Sequence, residues 1–371
     1  MKVPPVKIYF PEQDRLEILE KLDGILQSGR LTLGDYTKEF EEKFSSYNGS
    51  KYAVAVNSGT SALEIILRSL DVKGSSVIVP TNTFLATAFA VIHAGADVIF
   101  ADCGEDLNLD PENIEAALKP DTKGVVLVHI GGNIPAKLNE IQDLCEDKNL
   151  FLVEDAAHAH GSTIDDKKAG TLGIAGGFSF YPTKVITSGE GGIITTDNED
   201  IYNRALVFRD QGKAGFTANV HTELGYNWRM SELHAVLGMY QLSRLDEFIT
   251  TRQKIAQIYD ESLSDVKNIQ TLPLPANMKS NYYKYIAILD SSQNRQTVKQ
   301  TLREKHDVFF GGEVYELPCH LQPVFKDLYG LKEGMFPKAE DLCARHVCLP
   351  MFATMTEAEA NHVVASIKEV V

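Results

Sequence analysis

The sequence predicts an α/β protein, with a three-layer α/β/α large domain built on a mostly parallel sheet and a small C-terminal α+β domain. Short apolar runs alternate with segments of helical periodicity through residues 52–155, and this alternation is typical of a parallel sheet covered by helices on both faces. After residue 245 the order of the elements changes although the composition does not. We therefore predict two domains, residues 1–245 and residues 246–371.

The composition of the chain excludes several classes of function. Among its 371 residues, 51 acidic residues outnumber 36 basic ones and give a formal net charge of -15. No basic run interleaved with aromatic residues occurs, so nucleic acid is not an expected partner. The five cysteines are scattered, without the paired spacings of a zinc site or a disulfide framework. We therefore expect no metal site and a reducing, cytoplasmic location.

The sequence also shows no pattern of export or membrane insertion. Its first residues meet proline and charge too early to form a signal-peptide core. The longest weakly polar run, residues 84–100, is too short and too interrupted to span a bilayer. We therefore expect no membrane partner.

Two helices are predicted before the first strand. Leucines recur at helical spacing over residues 14–26, and Ser28-Gly29 is a helix-stop signal. Residues 36–47 form the second helix, in which Phe40 and Phe44 belong to one apolar stripe. Aromatic residues at this spacing are typical of core packing.

The alternating region begins with a strand at residues 52–56, the turn N-S-G-T-S and a helix at residues 62–70. Gly59 and Thr60 would place backbone N–H groups and a hydroxyl at the helix N-terminus, where the partial positive charge favours a phosphate. Serine and threonine also cap helices that bind nothing, so the turn alone leaves both interpretations open. The pattern continues with strand 76–79, helix 85–93, strand 96–101, helix 111–118, strand 124–129 and helix 136–147.

A predicted strand at residues 151–155 ends in the carboxylates of Glu154 and Asp155 and is followed by A-A-H-A-H-G. Ligands bind at the carboxyl ends of parallel strands. Asp155 could therefore hold the protonated ring nitrogen of a pyridine cofactor, because opposite charges stabilise one another. Together with His158, the same carboxylate is compatible with a metal site, a proton relay or a structural role.

Lys184 lies on a turn between two strand-like runs, residues 178–181 and 192–196, with glycines crowded after it. A lysine amine is a nucleophile only when it is neutral, and partial burial lowers its pKa. This setting suits Schiff-base formation with an aldehyde cofactor, although most lysines on glycine-rich turns are simply solvated. Phe84, just beyond a strand end, could stack on a flat ring or could serve packing alone.

The rest of the chain predicts further helices and shorter strands. A helix at residues 201–212 and the loop L-G-Y-N-W-R precede a helix that begins near Ser231. The predicted elements beyond residue 245 are a long helix to residue 264, strand 282–289, helix 296–305, strand 308–310 and a closing helix 356–371.

Taken together, the motifs resemble those of the DegT/DnrJ/EryC1 family of sugar aminotransferases. These are fold-type I enzymes of the aspartate aminotransferase superfamily and use pyridoxal 5'-phosphate (PLP). The similarity covers nearly the whole chain. Its motifs are, in order, S-G-R-L-T-L-G, A-V-N-S-G-T-S-A-L, P-T-N-T-F, V-E-D-A-A-H-A-H-G, F-S-F-Y-P-T-K, G-E-G-G-I-I-T-T, G-Y-N-W-R-M-S-E-L and C-H-L-Q-P.

The resemblance implies an enzyme that moves an amino group from an amino acid, with glutamate expected, to a keto-sugar nucleotide. Such reactions make amino sugars for surface polysaccharides or secondary metabolites. Lys184 would be the Schiff-base lysine, Asp155 the partner of the pyridine nitrogen, and His158 a neighbour of the ring hydroxyl. The resemblance also implies that Phe84 lies against the ring and that Gly59, Thr60 and Ser179 bind the phosphate. Asn227 of the other subunit would reach the same phosphate. The last contact implies a homodimer with shared active sites.

The resemblance leaves the acceptor open. It suggests that His320, in C-H-L-Q-P, lies near the substrate. Two segments depart from the usual family pattern: V-H-I-G-G-N-I-P at residues 128–135, and F-F-G-G-E-V-Y-E-L-P before Cys319. These departures concern the acceptor rather than the chemistry, and a keto-cyclitol acceptor is also compatible with them.

Three other functions are alternatives to an aminotransferase. A sugar dehydratase branch of the family has histidine in place of the lysine, so Lys184 argues against it. A desulfurase or lyase would need a mobile thiol, for which Cys319 is the candidate. A non-catalytic, ligand-binding regulator of the same fold would have no need of the covalent lysine.

Overall fold

A seven-stranded sheet forms the centre of the computed structural model, which describes residues 1–215 and 219–371. The strands, in chain order, are β1 (Tyr52–Val56), β2 (Ser76–Pro80), β3 (Asp97–Ala101), β4 (Thr122–Val128), β5 (Phe151–Asp155), β6 (Thr163–Ile164), β7 (Lys167–Lys168), β8 (Ala175–Ser179), β9 (Gly192–Thr196), β10 (Ile269–Thr271), β11 (Met278–Lys279), β12 (Tyr285–Leu289) and β13 (His346–Leu349).

The central sheet is mostly parallel, which confirms the predicted fold class. Its strand order is β1-β9-β8-β5-β4-β2-β3. The five strands from β8 to β3 run parallel, and β9 is antiparallel to both of its neighbours. The buried strands are nearly continuous apolar runs, as expected where helices cover both faces of a sheet.

Helices cover both faces of this sheet. The helices of the whole chain are α1 (Glu12–Ser28), α2 (Asp35–Asn48), α3 (Gly59–Ser69), α4 (Leu85–His93), α5 (Pro111–Ala117), α6 (Leu138–Asp147), α7 (Glu199–Arg209), α8 (Glu232–Ser243), α9 (Leu245–Leu263), α10 (Arg295–His306), α11 (Pro323–Tyr329), α12 (Pro337–Arg345) and α13 (Glu357–Val370). One core layer contains residues of α2, α5, α6 and α8, and the other contains residues of α3, α4 and α7. Phe40 and Phe44 of α2 are buried in the first layer, as their spacing predicts.

A second, antiparallel sheet of three strands, in the order β10-β12-β13, lies in the C-terminal part of the chain. Residues of α9, α10 and α13 pack in its core, and Val3 from the N-terminal segment packs there too. Conversely, Phe325 of α11 is buried in the core of the central sheet. The boundary near residue 245 falls between α8 and α9 and stays a prediction.

Several short elements differ from the sequence predictions. The predicted strand 308–310 is wrong, because Val308 makes only an isolated bridge with Val3. The strands β6, β7, β10, β11 and β13 and the helices α11 and α12 were not predicted, since most of these segments are too short to show a clear period. Within residues 1–215 and 219–371, no helix has both the length and the apolar character that crossing a membrane requires.

Candidate active site

Three strand ends of the central sheet place the predicted site residues at one edge. Gly192, at the start of β9, pairs with Val56 at the end of β1 and with Ser179 at the end of β8. Asp155 ends β5 and pairs with Gly177 of β8. Because the ends of these three strands are neighbours, the segments that follow them share one site.

The predicted phosphate ligands lie together. Gly59 begins α3, and a β-carbon added to Gly59 would lie 2.8 Å from the Ser179 β-carbon, so glycine allows the turn to approach β8 closely. The Ser58 side chain caps α3 by accepting a hydrogen bond from the Ser61 amide at 3.1 Å. The first-turn amides of Gly59 and Thr60 are therefore presented at a helix N-terminus, a setting that favours a phosphate.

Asp155 is a buried carboxylate whose side chain has two hydrogen-bond donors. Thr87 Oγ1 donates to Oδ2 at 2.7 Å, and the Ala157 amide donates to Oδ1 at 3.2 Å. Burial raises the pKa of the Asp155 carboxyl, although these two donors and the nearby Lys184 act in the opposite direction. The protein's own groups therefore leave the ionised carboxylate incompletely stabilised. A cationic ring N–H of a ligand would stabilise it further.

Lys184 lies on the turn that follows β8, where its amide donates to the Tyr181 carbonyl at 2.9 Å. Its Nζ is 5.0 Å from the centre of the Tyr283 ring. Burial lowers the pKa of the Lys184 amine, although Tyr283 and Asp155 act to raise it, and Lys284 lowers it further. A larger fraction of this amine is therefore neutral near pH 7 than for a solvated lysine, as a Schiff-base lysine requires.

His158 packs against Tyr283, the same side chain that Lys184 contacts. Its ring is 4.4 Å from the Tyr283 ring, centre to centre, at an interplanar angle of 31°. Burial lowers the pKa of His158 well below its usual value, and the charges of Lys184 and Lys284 contribute. In the described part of the chain, His158 Nδ1 is buried without a hydrogen-bond partner. A neutral imidazole with a free nitrogen fits a hydroxyl group of a bound ring.

Phe84 and Asn227 lie at the exposed side of the site. Phe84 precedes α4 and is 60% exposed, so one face of its ring is available to a ligand. Asn227 is exposed, and its carbonyl accepts a hydrogen bond from Asn57 Nδ2 at 3.3 Å, which places its loop beside the segment preceding Gly59. The role of Asn227 toward another subunit stays a prediction.

His320 lies in a buried setting, and its position near the substrate stays a prediction. It is fully buried, its Nδ1 is 2.7 Å from Thr81 Oγ1, and its Nε2 is 2.9 Å from Glu340 Oε1. Both ring nitrogens are therefore bonded to protein groups, and this arrangement does not support a direct substrate contact. The neighbouring Cys319 is buried, and burial raises the pKa of its thiol to about 12, which does not suit cysteine-dependent chemistry.

Residues that the sequence did not single out complete the site. Tyr283 precedes β12, and its hydroxyl is 3.3 Å from Thr183 Oγ1. Burial alone would raise the pKa of the Tyr283 phenol, but Lys184, Lys284 and Thr183 together lower it below the usual value. The run Y-Y-K-Y at residues 282–285 predicts only a strand, and no local pattern in the sequence could show that Tyr283 lies beside Lys184. Among the described residues, no group of three or more His, Cys, Asp or Glu side chains is arranged to hold a metal ion.

Comparisons with known proteins identify the family of the chain. The model of the DegT/DnrJ/EryC1/StrS aminotransferase family matches residues 12–368. The chain is 33% identical to GDP-perosamine synthase of Escherichia coli O157:H7 over 373 residues, 98% of each chain. It is 31% identical to dTDP-3-amino-3,4,6-trideoxy-alpha-D-glucose transaminase of Micromonospora megalomicea subsp. nigra, over 97% of this chain and 96% of that one. The solved PLP-form of Spr1654 from Streptococcus pneumoniae superposes with a TM-score of 0.91 at 27% identity, covering 100% of this chain and 98% of that one.

Proposed function

The chain belongs to the DegT/DnrJ/EryC1/StrS aminotransferase family and is a PLP-dependent aminotransferase, and we propose that it moves the amino group of glutamate to a keto-sugar nucleotide. The observation that carries this proposal is the position of Lys184, whose pKa burial lowers, near enough to the buried carboxylate of Asp155 for that charge to act on its pKa. The names of two relatives, a GDP-perosamine synthase and a dTDP-amino-sugar transaminase, support a nucleotide-linked sugar as acceptor.

The geometry of the site supports a set of cofactor contacts that we also propose. PLP, when bound, supplies an electron sink that weakens a bond at the carbon carrying the amino group. We propose that Asp155 holds its ring nitrogen, that His158 Nδ1 meets its ring hydroxyl and that Phe84 covers one ring face. The amides at the start of α3, with Ser179, would hold its phosphate.

Lys184 would act as nucleophile and as base. Its Nζ, whose pKa burial lowers, would hold the cofactor covalently between turnovers. Once displaced by the donor's amino group, the same Nζ can accept the proton lost from the donor's α-carbon.

We also propose a cytoplasmic homodimer with shared active sites. Leu16, Leu19 and Leu26 lie on one face of α1 and are 58%, 62% and 65% exposed. An apolar helix face of this kind supports a protein contact. The exposed Phe84 and Asn227 are at the same time compatible with a site that a second subunit completes.

The test is an assay of the PLP-loaded protein with glutamate and a panel of keto-sugar nucleotides, read by mass spectrometry. We expect one acceptor to gain an amine, with formation of 2-oxoglutarate in equal amount. A keto-cyclitol belongs in the panel as the alternative acceptor. Amination of the cyclitol and of no nucleotide sugar would refute the proposed acceptor class while leaving the aminotransferase chemistry in place.

A further inference from the structure

A cavity of about 280 Å³ lies beside Thr183, the neighbour of Lys184, and is lined largely by residues of the C-terminal part of the chain. His158, Thr183 and Tyr283 form the wall toward Lys184, and residues 311–314 form part of the opposite wall. Lys284 lines the cavity between them. The volume lies near the lower limit for drug-sized ligands, roughly 300 Å³, so the cavity suits a small metabolite rather than a whole nucleotide sugar.

Lys284 is a cation without a carboxylate partner. Its Nζ lies 5.4 Å from the centre of the Tyr283 ring and 3.4 Å from the Gly312 carbonyl oxygen. In the described part of the chain, no Asp or Glu forms an ion pair with it. The acidic residue of the cavity wall, Glu313, is only 4% exposed and is already paired with Lys299 at 2.7 Å and Arg295 at 3.7 Å.

The position of Lys284 relative to Lys184 restricts its ligand. The two Nζ atoms lie 5.4 and 5.0 Å from the centre of the same Tyr283 ring. Because both Nζ atoms lie against one side chain, an extended donor whose amino group reaches Lys184 could present a distal group toward Lys284. Gly311 leaves room for this ammonium group, since a β-carbon there would lie 3.3 Å from Lys284 Nζ.

We propose that Lys284 is a specificity-determining residue that binds a carboxylate of the amino donor and thereby selects a dicarboxylic amino acid. The proposal rests on the proposed function, the transfer of the amino group of glutamate to a keto-sugar nucleotide. The required chemistry is an anion held by an unpaired ammonium group at a short distance from the reacting amine. The anion has two possible sources, the donor and an acidic group of the acceptor, and the size of the cavity favours the donor.

The two half-reactions distinguish these sources. PLP-loaded protein is mixed with glutamate or alanine in the absence of acceptor, and the change in cofactor absorbance is followed. We expect Lys284→Met to raise the half-saturating glutamate concentration about tenfold or more, as loss of a charged hydrogen bond implies. Its effect on alanine should be less than about twofold, and Lys284→Arg should retain most of the glutamate affinity.

Lys279→Met is the matched control, because Lys279 is a surface lysine paired with Asp166 at 3.2 Å. It should leave both half-reactions unchanged. A Lys284→Met protein that is normal with glutamate, or that is impaired only in the acceptor half-reaction, would overturn the donor assignment. Wild-type protein that aminates no acceptor would instead count against the proposed function, so the two failures are distinguishable.

A binding measurement independent of turnover completes the test. Calorimetry of the PLP-loaded protein with glutarate, and with pentanoate as its monocarboxylate counterpart, should show glutarate binding that Lys284→Met weakens about tenfold or more. Thermal unfolding and the cofactor spectrum check that the variant is folded and loaded. Equal glutarate affinity in folded wild-type and Lys284→Met proteins would contradict the proposal.

Discussion

Two regions form the active site, and they differ in how they are built. One is the edge of the central sheet at which the strands end, called the edge below. The other is the part contributed by residues 281–314, called the wall. The edge consists of turns that directly follow β1, β5 and β8, and it holds most of the residues assigned to the cofactor; Phe84 follows β2 instead. The wall belongs to the C-terminal part of the chain, and it contacts the edge through side chains such as Tyr283, which packs against His158 and Lys184. The proposals above assign the chemistry to the edge and the choice of substrate to the wall.

The attachment of the wall involves segments that depart from the family pattern. Asn281 Nδ2 donates to the carbonyls of His158 and His160 at 2.8 and 2.9 Å. Gly132, with φ of +100°, makes room for it, because a β-carbon there would lie 2.1 Å from Asn281 Oδ1. The other departure supplies the cavity wall at residues 311–314. Both unusual segments therefore contribute to the wall, and both also contact cofactor residues: the Tyr315 ring lies 6.1 Å from the His158 ring, centre to centre, and the His129 amide donates to the Asp155 carbonyl at 3.2 Å.

The sharpest way to break this division is to remove the reacting group of the edge. Lys184→Ala should lower the steady-state transamination rate by at least about 10³-fold, because nucleophile and base are lost together. Borohydride should trap the cofactor on residue 184 of the wild type, detected by peptide mass, and on no residue of the variant. An unchanged rate in the folded variant would show that Lys184 is not the reacting lysine.

Asp155→Asn tests the electrostatic part of the edge. We expect a loss of activity on the order of 10² to 10³-fold, typical of removing one key charged or hydrogen-bonding group from a site. Because burial raises the pKa of Asp155, its ionised form destabilises the folded, cofactor-free protein above the ordinary carboxyl pKa. The cofactor-free variant should therefore melt no lower than the wild type at pH 7. A loss below about tenfold, roughly 1.4 kcal/mol, would indicate a structural role.

The edge was largely predictable from the sequence, for a physical reason. Each of its functional residues follows a strand or begins a helix, so the pattern of apolar runs and glycines that predicts the elements also locates Gly59, Asp155 and Lys184. The parallel sheet then brings these turns together, because the strand ends meet at one edge. The roles at the ring and phosphate came from the family resemblance rather than from this pattern.

The wall was not predictable, because its placement depends on long-range packing. Tyr283 and Lys284 lie about 100 residues after Lys184, and nothing local marks them as different from other residues of a strand. The surroundings of His320 were equally unpredictable. The partners of its ring nitrogens, Thr81 and Glu340, are not marked by the C-H-L-Q-P motif, and the position of His320 near the substrate stays a prediction.

A smaller effect is expected from Thr87, which supports the edge without touching substrate. Its hydroxyl donates to Asp155 and lies 2.8 Å from Thr83 Oγ1, so it is a positioning residue for the carboxylate. Thr87→Val should reduce kcat about tenfold, the loss of one hydrogen bond to a charged group, with little change in the donor's KM. Thr87→Ser should restore most of kcat. Equal rates in the Val and Ser variants would contradict a role for the hydroxyl.

The smallest expected effect tests whether the wall also influences the edge at a distance. The charge of Lys284 helps to lower the pKa of Lys184, after the larger contribution of burial. Removing that charge in Lys284→Met should raise the Lys184 pKa, so a higher pH is needed to make the amine neutral. The rate at which cofactor-free protein captures PLP requires the neutral amine and should therefore rise with pH at a higher midpoint in Lys284→Met than in wild type. Lys284→Arg keeps the charge and should retain the wild-type midpoint. A midpoint shared by all three proteins would show that Lys284 acts on the substrate alone and that the two regions are electrostatically independent.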